Sequence, residues 1–176
     1  MLQEPPLVKL FIGIIYSPHA PVSDCIVRLK EMFGDIDFRT EKLSFDFTAY
    51  YEEEMGKGLS REIVSFKKLI KREELVEIKI FTNELEKNFS VEDKRKINID
   101  PGYIAAEHLI LATGKGYYHR PYLGKGVYAD LTLVYKHKEF HALEWTYPDY
   151  GSDYLKELFK KIRQDYMIEL EKETKR

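Results

Sequence analysis

Hydrophobic and polar residues follow one another along the chain in short patterns that predict strands within residues 8–47 and again within residues 127–145. Val8–Tyr16 is a largely apolar, β-branched run, which is typical of a central strand. Alternation of apolar and polar residues within residues 37–47 predicts a strand or a hairpin. Residues 127–135 and 140–145 flank the polar segment 136–139, and this arrangement predicts an antiparallel hairpin.

Helical spacing of apolar residues predicts helices between these strands. Ser23 or Asp24 is expected to cap a helix that ends at Phe33 before Gly34. A second helix is predicted after Ser60, because the apolar residues that follow it recur at core spacing. That second stripe consists of Ile63, Phe66, Leu69 and Ile70.

Three further segments complete the predicted helices. Residues 71–89 fit both a helical stripe and strand alternation, and their length and Glu/Lys content favour a helix. A short strand at 97–99 and a turn at 100–102 are expected to lead into a helix at 103–112. Residues 153–172 form a long charged amphipathic pattern, which predicts a C-terminal helix. Together these elements predict one α+β domain over residues 1–176, with a mostly antiparallel sheet, three to five helices packed on it and fraying at 173–176.

Composition excludes several classes of protein. A chain of 176 residues with 44% hydrophobic content is long enough to bury one substantial core. The formal net charge of −2 gives no overall attraction to nucleic acid or to an anionic membrane, so nucleic-acid binding is not expected. No apolar run has the length of a membrane span, and residues 1–6 do not resemble a signal peptide, so we expect a cytoplasmic protein.

Two details of the composition concern redox chemistry and temperature. Cys25 is the single cysteine, which rules out an internal disulfide and a multi-cysteine metal site. Asn and Gln are scarce while Lys and Glu are abundant, a bias that suits a heat-tolerant source.

Residues 98–150 contain most of the side chains that are able to do chemistry. This stretch has the single Trp, four of the five His and eight of the thirteen Tyr. Trp145 begins the aromatic sequence W-T-Y-P-D-Y, which serves a core by default and also suits the wall of a pocket that stacks a ring. The high content of tyrosine favours a ligand site somewhere in this stretch.

His119 and Arg120, flanked by tyrosines, are the best candidates to face an anion. Arginine offers a bidentate fork to phosphate or carboxylate, and histidine transfers protons near neutral pH. His119 is therefore the candidate catalytic residue. In the alternative interpretation, Arg120 pairs with Asp130 or Asp149 and holds a loop in place.

Two positions before Pro101 are candidates to orient a ligand. Asn98 and Asp100 are two residues apart in a predicted strand, so their side chains share one face. Asp100 is equally explained as a turn residue that hydrogen-bonds its own backbone before Pro-Gly.

Residues 127–135 provide a further polar row. Tyr128, Asp130 and Thr132 share one face of the predicted strand, where they line either a binding cleft or a solvated sheet surface. The remaining candidate ligand-binding residues are Glu54, Tyr103, Tyr122 and Asp149, with Arg61 and Lys79 as further anion contacts.

The sequence contains no recognisable metal site or hydrolase triad. The histidines lack H-E-x-x-H spacing, and His137 and His141, which do have H-x-x-x-H spacing, are on opposite sides of a predicted hairpin turn instead of on one helical face. No G-x-S-x-G motif is present, so a Ser-His-Asp triad cannot be identified. No metal is expected, and the sequence assigns no cofactor.

A series of ordered motifs resembles a known family. They are F-D-F-T-x-Y-Y-x-x-E-M-G, K-I-F-T-N-E-L-E, N-I-D-P-G-Y, L-A-T-G-K, H-R-P-Y-L, G-V-Y-A-D-L-T-L and W-T-Y-P-D-Y. The chain resembles the bacterial and archaeal domain-of-unknown-function family 4416, some of whose members carry the label "GTP-binding protein". His108, Gly114 and Asp130 depart from the family pattern, in which Lys, Thr and Glu are expected.

The GTP label finds no support in the phosphate-binding motifs. A P-loop needs G-x-x-x-x-G-K-[ST], so that backbone N–H groups surround the phosphates and a hydroxyl binds Mg²⁺. The chain contains G-K-G at 56–58, 114–116 and 124–126, but none of them has this spacing, and N-K-x-D is absent. A conventional GTPase is therefore excluded.

The function expected from the sequence is binding of a small anionic ligand, phosphorylated or nucleotide-like, in a tyrosine-rich cleft. His119 would then catalyse phosphoester hydrolysis as a general acid and base. The alternative is a non-catalytic protein-interaction or assembly module whose exposed aromatic residues form an interface. The sequence does not determine the oligomeric state.

Overall fold

An antiparallel sheet of nine strands runs through the middle of the protein in a computed structural model that describes residues 1–175. The strand order is β2-β4-β1-β5-β6-β8-β7, with β3 also paired to β4 and β9 also paired to β8. The strands are β1 (Val8–Tyr16), β2 (Ile36–Arg39), β3 (Leu43–Ser44), β4 (Ser60–Ile70), β5 (Ile97–Ile104), β6 (His108–Thr113), β7 (Tyr122–Gly124), β8 (Val127–Lys136) and β9 (Glu139–Ala142).

Four helices accompany the sheet within the described residues. They are α1 (Val22–Phe33), α2 (Glu52–Met55), α3 (Leu75–Asn88) and α4 (Asp153–Thr174), and a 3₁₀ turn (Arg72–Glu74) precedes α3. The fold is a single α+β domain, which confirms the predicted fold class. Arg176, part of the segment predicted to fray, lies outside the described residues, whereas α4 continues to Thr174.

Helices cover both faces of the sheet, so the central strands are buried on two sides. Side chains of a strand alternate between the faces. Leu10 and Ile12 of β1 pack with α1 and α3, whereas Phe11 packs with α4. We call these two surfaces the helix-pair face and the α4 face. The α4 residues in the second core are Leu155, Leu158, Phe159, Ile162 and Tyr166.

Burial on both faces explains the two segments that were wrongly predicted to be helical. The segment after Ser60 is the strand β4, whose first seven residues are all buried. Residues 103–112 contain the end of β5, a turn and the strand β6 instead of a helix. A continuous apolar run in a doubly covered strand lacks period-two alternation, so its spacing imitates a helical stripe.

The predicted turn at residues 100–102 is also wrong, because β5 runs straight through Pro101. β5 pairs with β6 only from Gly102 to Ile104, so Pro101 lies beside an unpaired stretch of strand edge. A proline is tolerated at such an edge because no ladder hydrogen bond is lost there. The sheet thus opens between β5 and β6 at the Asn98–Asp100 end.

Most of the other predicted elements are confirmed, although β9 ends at Ala142 instead of Trp145, and the strands within residues 37–47 pair with β4 instead of with each other. β1 has the predicted bounds, α1 ends before Gly34, and the hairpin of β8 and β9 turns at His137 and Lys138 with positive φ at both. The predicted cap of α1 is wrong, because Pro21 occupies that position without a side-chain hydrogen bond. Within the described residues, no helix is long and apolar enough to cross a membrane.

Candidate functional site

The register of the sheet brings four predicted site residues onto one face. Asp100 lies opposite Gly13, and Asp130 lies opposite Leu111, which belongs to the core beneath α4. Because Asn98 is two residues from Asp100 and Tyr128 is two residues from Asp130, all four side chains are on the α4 face.

Asp130 joins the two residues predicted to face an anion. Its Oδ2 atom accepts a hydrogen bond from Arg120 Nε at 2.8 Å and lies 3.4 Å from His119 Nε2. Its Oδ1 atom accepts a bond from the Thr132 hydroxyl at 3.1 Å. Arg120 also donates to the Lys115 carbonyl at 3.1 Å and to the Tyr147 hydroxyl at 3.0 Å. The carboxylate therefore fixes Arg120 in the way the loop-holding alternative requires.

The His119 ring is buried between aromatic groups. It stacks on Trp145 with ring centroids 4.6 Å apart and planes inclined by 15°, and it meets the edges of Tyr117 and Tyr118. Neither ring nitrogen has a hydrogen-bond partner among the described residues. Nε2 is within ion-pair distance of Asp130, but its direction does not satisfy hydrogen-bond geometry. The imidazole is thus oriented by stacking rather than by a hydrogen bond.

A second cluster surrounds Arg95 at the opening between β5 and β6. Arg95 forms a bidentate pair with Glu54, with N–O distances of 2.8 and 2.7 Å, and donates to Asn98 Oδ1 at 2.8 Å. Asn98 in turn donates to Asp100 Oδ2 at 2.6 Å. These hydrogen bonds connect three predicted site residues through an arginine that sequence reasoning missed. Arg95 stood in a charged loop with no signal beyond its closeness to Asn98.

Helix α3 closes this cluster from the other side. Lys79 Nζ is 3.5 Å from Asp100 Oδ1, and Glu86 Oε1 accepts a hydrogen bond from the Ile99 amide at 2.6 Å. Burial raises the pKa of Glu86 above its ordinary value, an effect that the Ile99 hydrogen bond opposes. Hydrogen bonds from Arg95 lower the pKa of Glu54. The pKa values of the two carboxyl groups that pair with Arg95 are thus shifted in opposite directions.

Arg61 and Asp149 form a buried ion pair beside the first cluster. Their residues are only 5% and 4% exposed, and Arg61 Nη1 donates to Asp149 Oδ2. The guanidinium lies between two aromatic rings, 4.8 Å from the Phe45 centroid and 5.0 Å from that of Tyr150. Asp149 is therefore committed to Arg61 instead of facing a ligand.

Tyr51, Tyr147 and Tyr150 connect the three clusters. Burial raises the pKa of Tyr51, and the charge of Asp100 raises it further. Burial also raises the pKa of Tyr150, and the nearby charge of Arg61 opposes this effect. The Tyr150 hydroxyl is buried and has no hydrogen-bond partner among the described residues. Since Tyr147 binds Arg120 and affects the pKa of Tyr51, the clusters lie within electrostatic reach of one another.

Exposed tyrosines lie above these clusters. Tyr50, Tyr117, Tyr118 and Tyr147 are 47–74% exposed, and we call them the tyrosine surface. Lys115 lies among them, because its Nζ atom donates to the Tyr50 hydroxyl and its carbonyl accepts from Arg120. Lys115 has no carboxylate partner among the described residues. Its signal in the sequence was its place between Gly114 and the paired tyrosines.

Two predicted residues do not join the site. Tyr103 belongs to the core of the helix-pair face, where Arg72 lies 6.0 Å from its ring and burial raises its pKa. Tyr103 and Asp100 point to opposite faces of the sheet, because they are three residues apart along β5. Tyr122 is exposed on the edge strand β7 and contacts Tyr128, with ring centroids 5.1 Å apart.

Two cavities lie away from this site. One of about 260 Å³ is lined by residues that include Lys9, Asp37 and Glu169 beside α4. Another of about 360 Å³ lies between α1 and the end of α3. The candidate site therefore coincides with neither of these two cavities. Among residues 1–175, no three His, Cys, Asp or Glu side chains are arranged to hold a metal ion.

The comparisons with known proteins place the chain in a family. A family model described as "Domain of unknown function (DUF4416)" matches residues 6–166. The chain belongs to this family. No curated protein and no solved structure matches the chain.

The three residues expected from the resemblance to depart from the family pattern lie in different environments. Asp130, with its shorter side chain, still reaches both His119 and Arg120. Gly114 has no atom within 4 Å of the position that a Cβ would occupy, so a larger residue fits there. His108 lies on β6 beside Glu107, where burial lowers its pKa, and it takes no part in the site.

Proposed function

We propose that the tyrosine surface binds a small anionic ligand that carries a flat ring. The observation that supports this most directly is Lys115, an exposed cation among exposed tyrosines that has no carboxylate partner within the described part of the chain. Tyrosine rings supply large flat faces on which a ring stacks, and an ammonium group binds phosphate or carboxylate. The ligand ring would lie on tyrosine while its anion reaches Lys115.

Arg120 would be a second contact to the ligand, as a hydrogen-bond donor. A guanidinium has five N–H donors, and three of them are directed to Asp130, Lys115 and Tyr147. The remaining two are available to a ligand without breaking the bond to Asp130. The hydrogen bond to Asp130 would hold the Arg120 guanidinium in place before the ligand binds. Less side-chain entropy would then be lost on binding.

His119 is the group we propose for acid–base chemistry on a bound phosphoester. Neither ring nitrogen has a hydrogen-bond partner among the described residues, and Asp130 Oδ2 lies 3.4 Å from Nε2. Because Tyr117 and Tyr118 cover the ring, hydrolysis would require one of them to move. Release of inorganic phosphate from p-nitrophenyl phosphate, compared between wild type and His119→Gln, tests this step.

Calorimetric titration tests the binding proposal. The probes are inorganic phosphate, AMP and ATP, and the test variant is Lys115→Ala. Since a hydrogen bond to a charged group contributes roughly 1.5–3 kcal/mol, we expect the affinity to fall by about tenfold or more. Lys125→Ala is the matched control, because Lys125 is an exposed lysine paired with Glu77 outside the tyrosine surface. Absence of binding by wild type, or equal affinities of wild type and Lys115→Ala, would contradict the proposal.

A protein interface is the second candidate function. The exposed tyrosines, together with Trp145 and Arg120, have the residue types that are enriched in interface centres. Light scattering distinguishes the two functions. A dimer that dissociates in Tyr118→Ala, with no change in Lys115→Ala, would favour the interface.

A further inference from the structure

The charges of the candidate site are balanced, and this balance restricts the ligand. Five cations lie in the connected clusters and on the tyrosine surface, and four of them have a carboxylate partner. The pairs are Arg61 with Asp149, Arg95 with Glu54 and Glu86, Arg120 with Asp130, and Lys79 with Asp100. Among the described residues, five carboxylates thus face four cations, and Lys115, the fifth cation of this set, has no such partner.

The existing pairs are not available to a polyanionic ligand. Arg61, Asp149 and Asp130 are at least nine-tenths buried, and removing a partner from a buried pair is strongly unfavourable. A phosphate group that competes for these arginines would have to displace a carboxylate that remains next to it. Each phosphate added beyond the first therefore meets carboxylates rather than free cations.

The uncharged groups of the site accommodate the rest of the ligand. Tyr50, Tyr117, Tyr118 and Tyr147 present exposed rings, and Arg120 retains two N–H donors. A nucleobase has a flat face for stacking and edge atoms that accept hydrogen bonds, which matches this set.

We infer that the site takes a nucleoside monophosphate and discriminates against nucleoside di- and triphosphates. This inference rests on the proposed function and adds the number of phosphate groups. Lys115 would hold the single phosphate, and the base would stack on the tyrosine surface. Carboxylates within electrostatic reach, Asp100 among them, would repel further phosphates.

The test compares AMP, ADP and ATP by calorimetry at low ionic strength, where screening is weakest. We expect affinity to fall along this series, with ATP roughly tenfold weaker than AMP, because each added charge meets like charge at an effective dielectric constant of about 20. Mg²⁺ neutralises the added phosphates, so its addition should narrow the difference.

A variant removes the proposed source of discrimination. Asp100→Asn keeps the shape of a side chain that is 27% exposed and releases Lys79 from its carboxylate. Its affinity for ATP should rise relative to AMP, whereas Glu84→Gln, an exposed change on α3, should leave the ratio as in wild type. Thermal melts of both variants verify that they fold.

The outcomes separate this inference from the proposed function. Binding of AMP in preference to ATP, with the ratio shifted in Asp100→Asn, supports both. Equal or tighter binding of ATP without Mg²⁺, or an unchanged ratio in Asp100→Asn, overturns the inference and leaves anion binding standing. Failure of wild type to bind inorganic phosphate and every nucleotide overturns the proposed function and the inference together.

Discussion

The buried pair of Arg61 and Asp149 allows a quantitative test of how the site is held in place. Both residues are at most 5% exposed, and the guanidinium lies between the rings of Phe45 and Tyr150. Asp149→Asn keeps the shape of the carboxylate and removes its charge, which leaves a buried guanidinium without an anion. We therefore expect this variant to be strongly destabilised.

The expected loss follows from the energetics of buried charge. Removing one partner of a buried pair costs about 3–5 kcal/mol. The two aromatic faces persist in the variant and offset part of this, since a desolvated cation–π contact is worth about 2 kcal/mol. We expect a loss near the lower limit, about 3 kcal/mol. At roughly 2–4 °C per kcal/mol for a domain of this size, the melting temperature should fall by about 6–12 °C.

Urea unfolding followed by circular dichroism measures the free energy, and two further variants make the measurement specific. The double variant Arg61→Met/Asp149→Leu removes both charges, so it should be more stable than Asp149→Asn. Lys87→Ala removes a partner of the exposed pair with Glu84 and should cost less than about 1 kcal/mol.

Two results would refute this reasoning. One is a loss of less than about 1 kcal/mol in Asp149→Asn, equal to the loss in the exposed control. The other is a double variant less stable than Asp149→Asn, which would mean that side-chain volume rather than charge dominates.

Three further predictions concern packing and titration. Gly13→Ala should destabilise the fold by about 1–3 kcal/mol, because its Cβ would lie 2.8 Å from the Tyr150 hydroxyl, and Tyr150→Phe should relieve most of this loss; equal losses in both backgrounds would contradict the contact. The pKa of Glu54 is lowered in the fold, so the stability that Glu54 contributes should be lost as the pH falls below 4.5, whereas the pKa of Glu86 is raised, so its contribution should be lost as the pH rises above 4.5. In urea unfolding measured from pH 3 to 8, Glu54→Gln should therefore reduce the pH dependence of stability on the acid side, and Glu86→Gln should reduce it on the alkaline side. Profiles identical to that of wild type would refute this. Burial raises the pKa of Cys25 to about 12, so a thiol reagent should label it only in urea, and rapid labelling of the native protein would disprove its burial.

Local patterns predicted those elements whose residues have one covered face or a strong boundary. The hairpin of β8 and β9, helix α4 and helix α1 with its terminal Gly34 were all predicted from the sequence. Helices on both faces of the sheet removed the alternation that would have identified β4 and β6. Their burial depends on distant segments, so local spacing does not reveal it.

The candidate site was predictable in its residue types and less so in their pairings. His119, Arg120 and Asp130 were selected from the sequence, and the structure brings them together. Arg95 and Tyr51 were not selected, because their roles depend on loops that meet only in the fold. Which carboxylate pairs with which arginine is a property of strand register, and no local pattern determines that.

The three-residue pairing between β5 and β6 has a mechanical consequence. Asp100 lies on β5 and Asp130 on β8, so the two carboxylates belong to parts of the sheet that meet at Gly102–Ile104. Few ladder hydrogen bonds would therefore have to break if the two carboxylates moved apart. A ligand that contacts both Asp100 and Asp130 would hold these two parts of the sheet together. The backbone amides of β6 would then exchange more slowly with deuterated solvent.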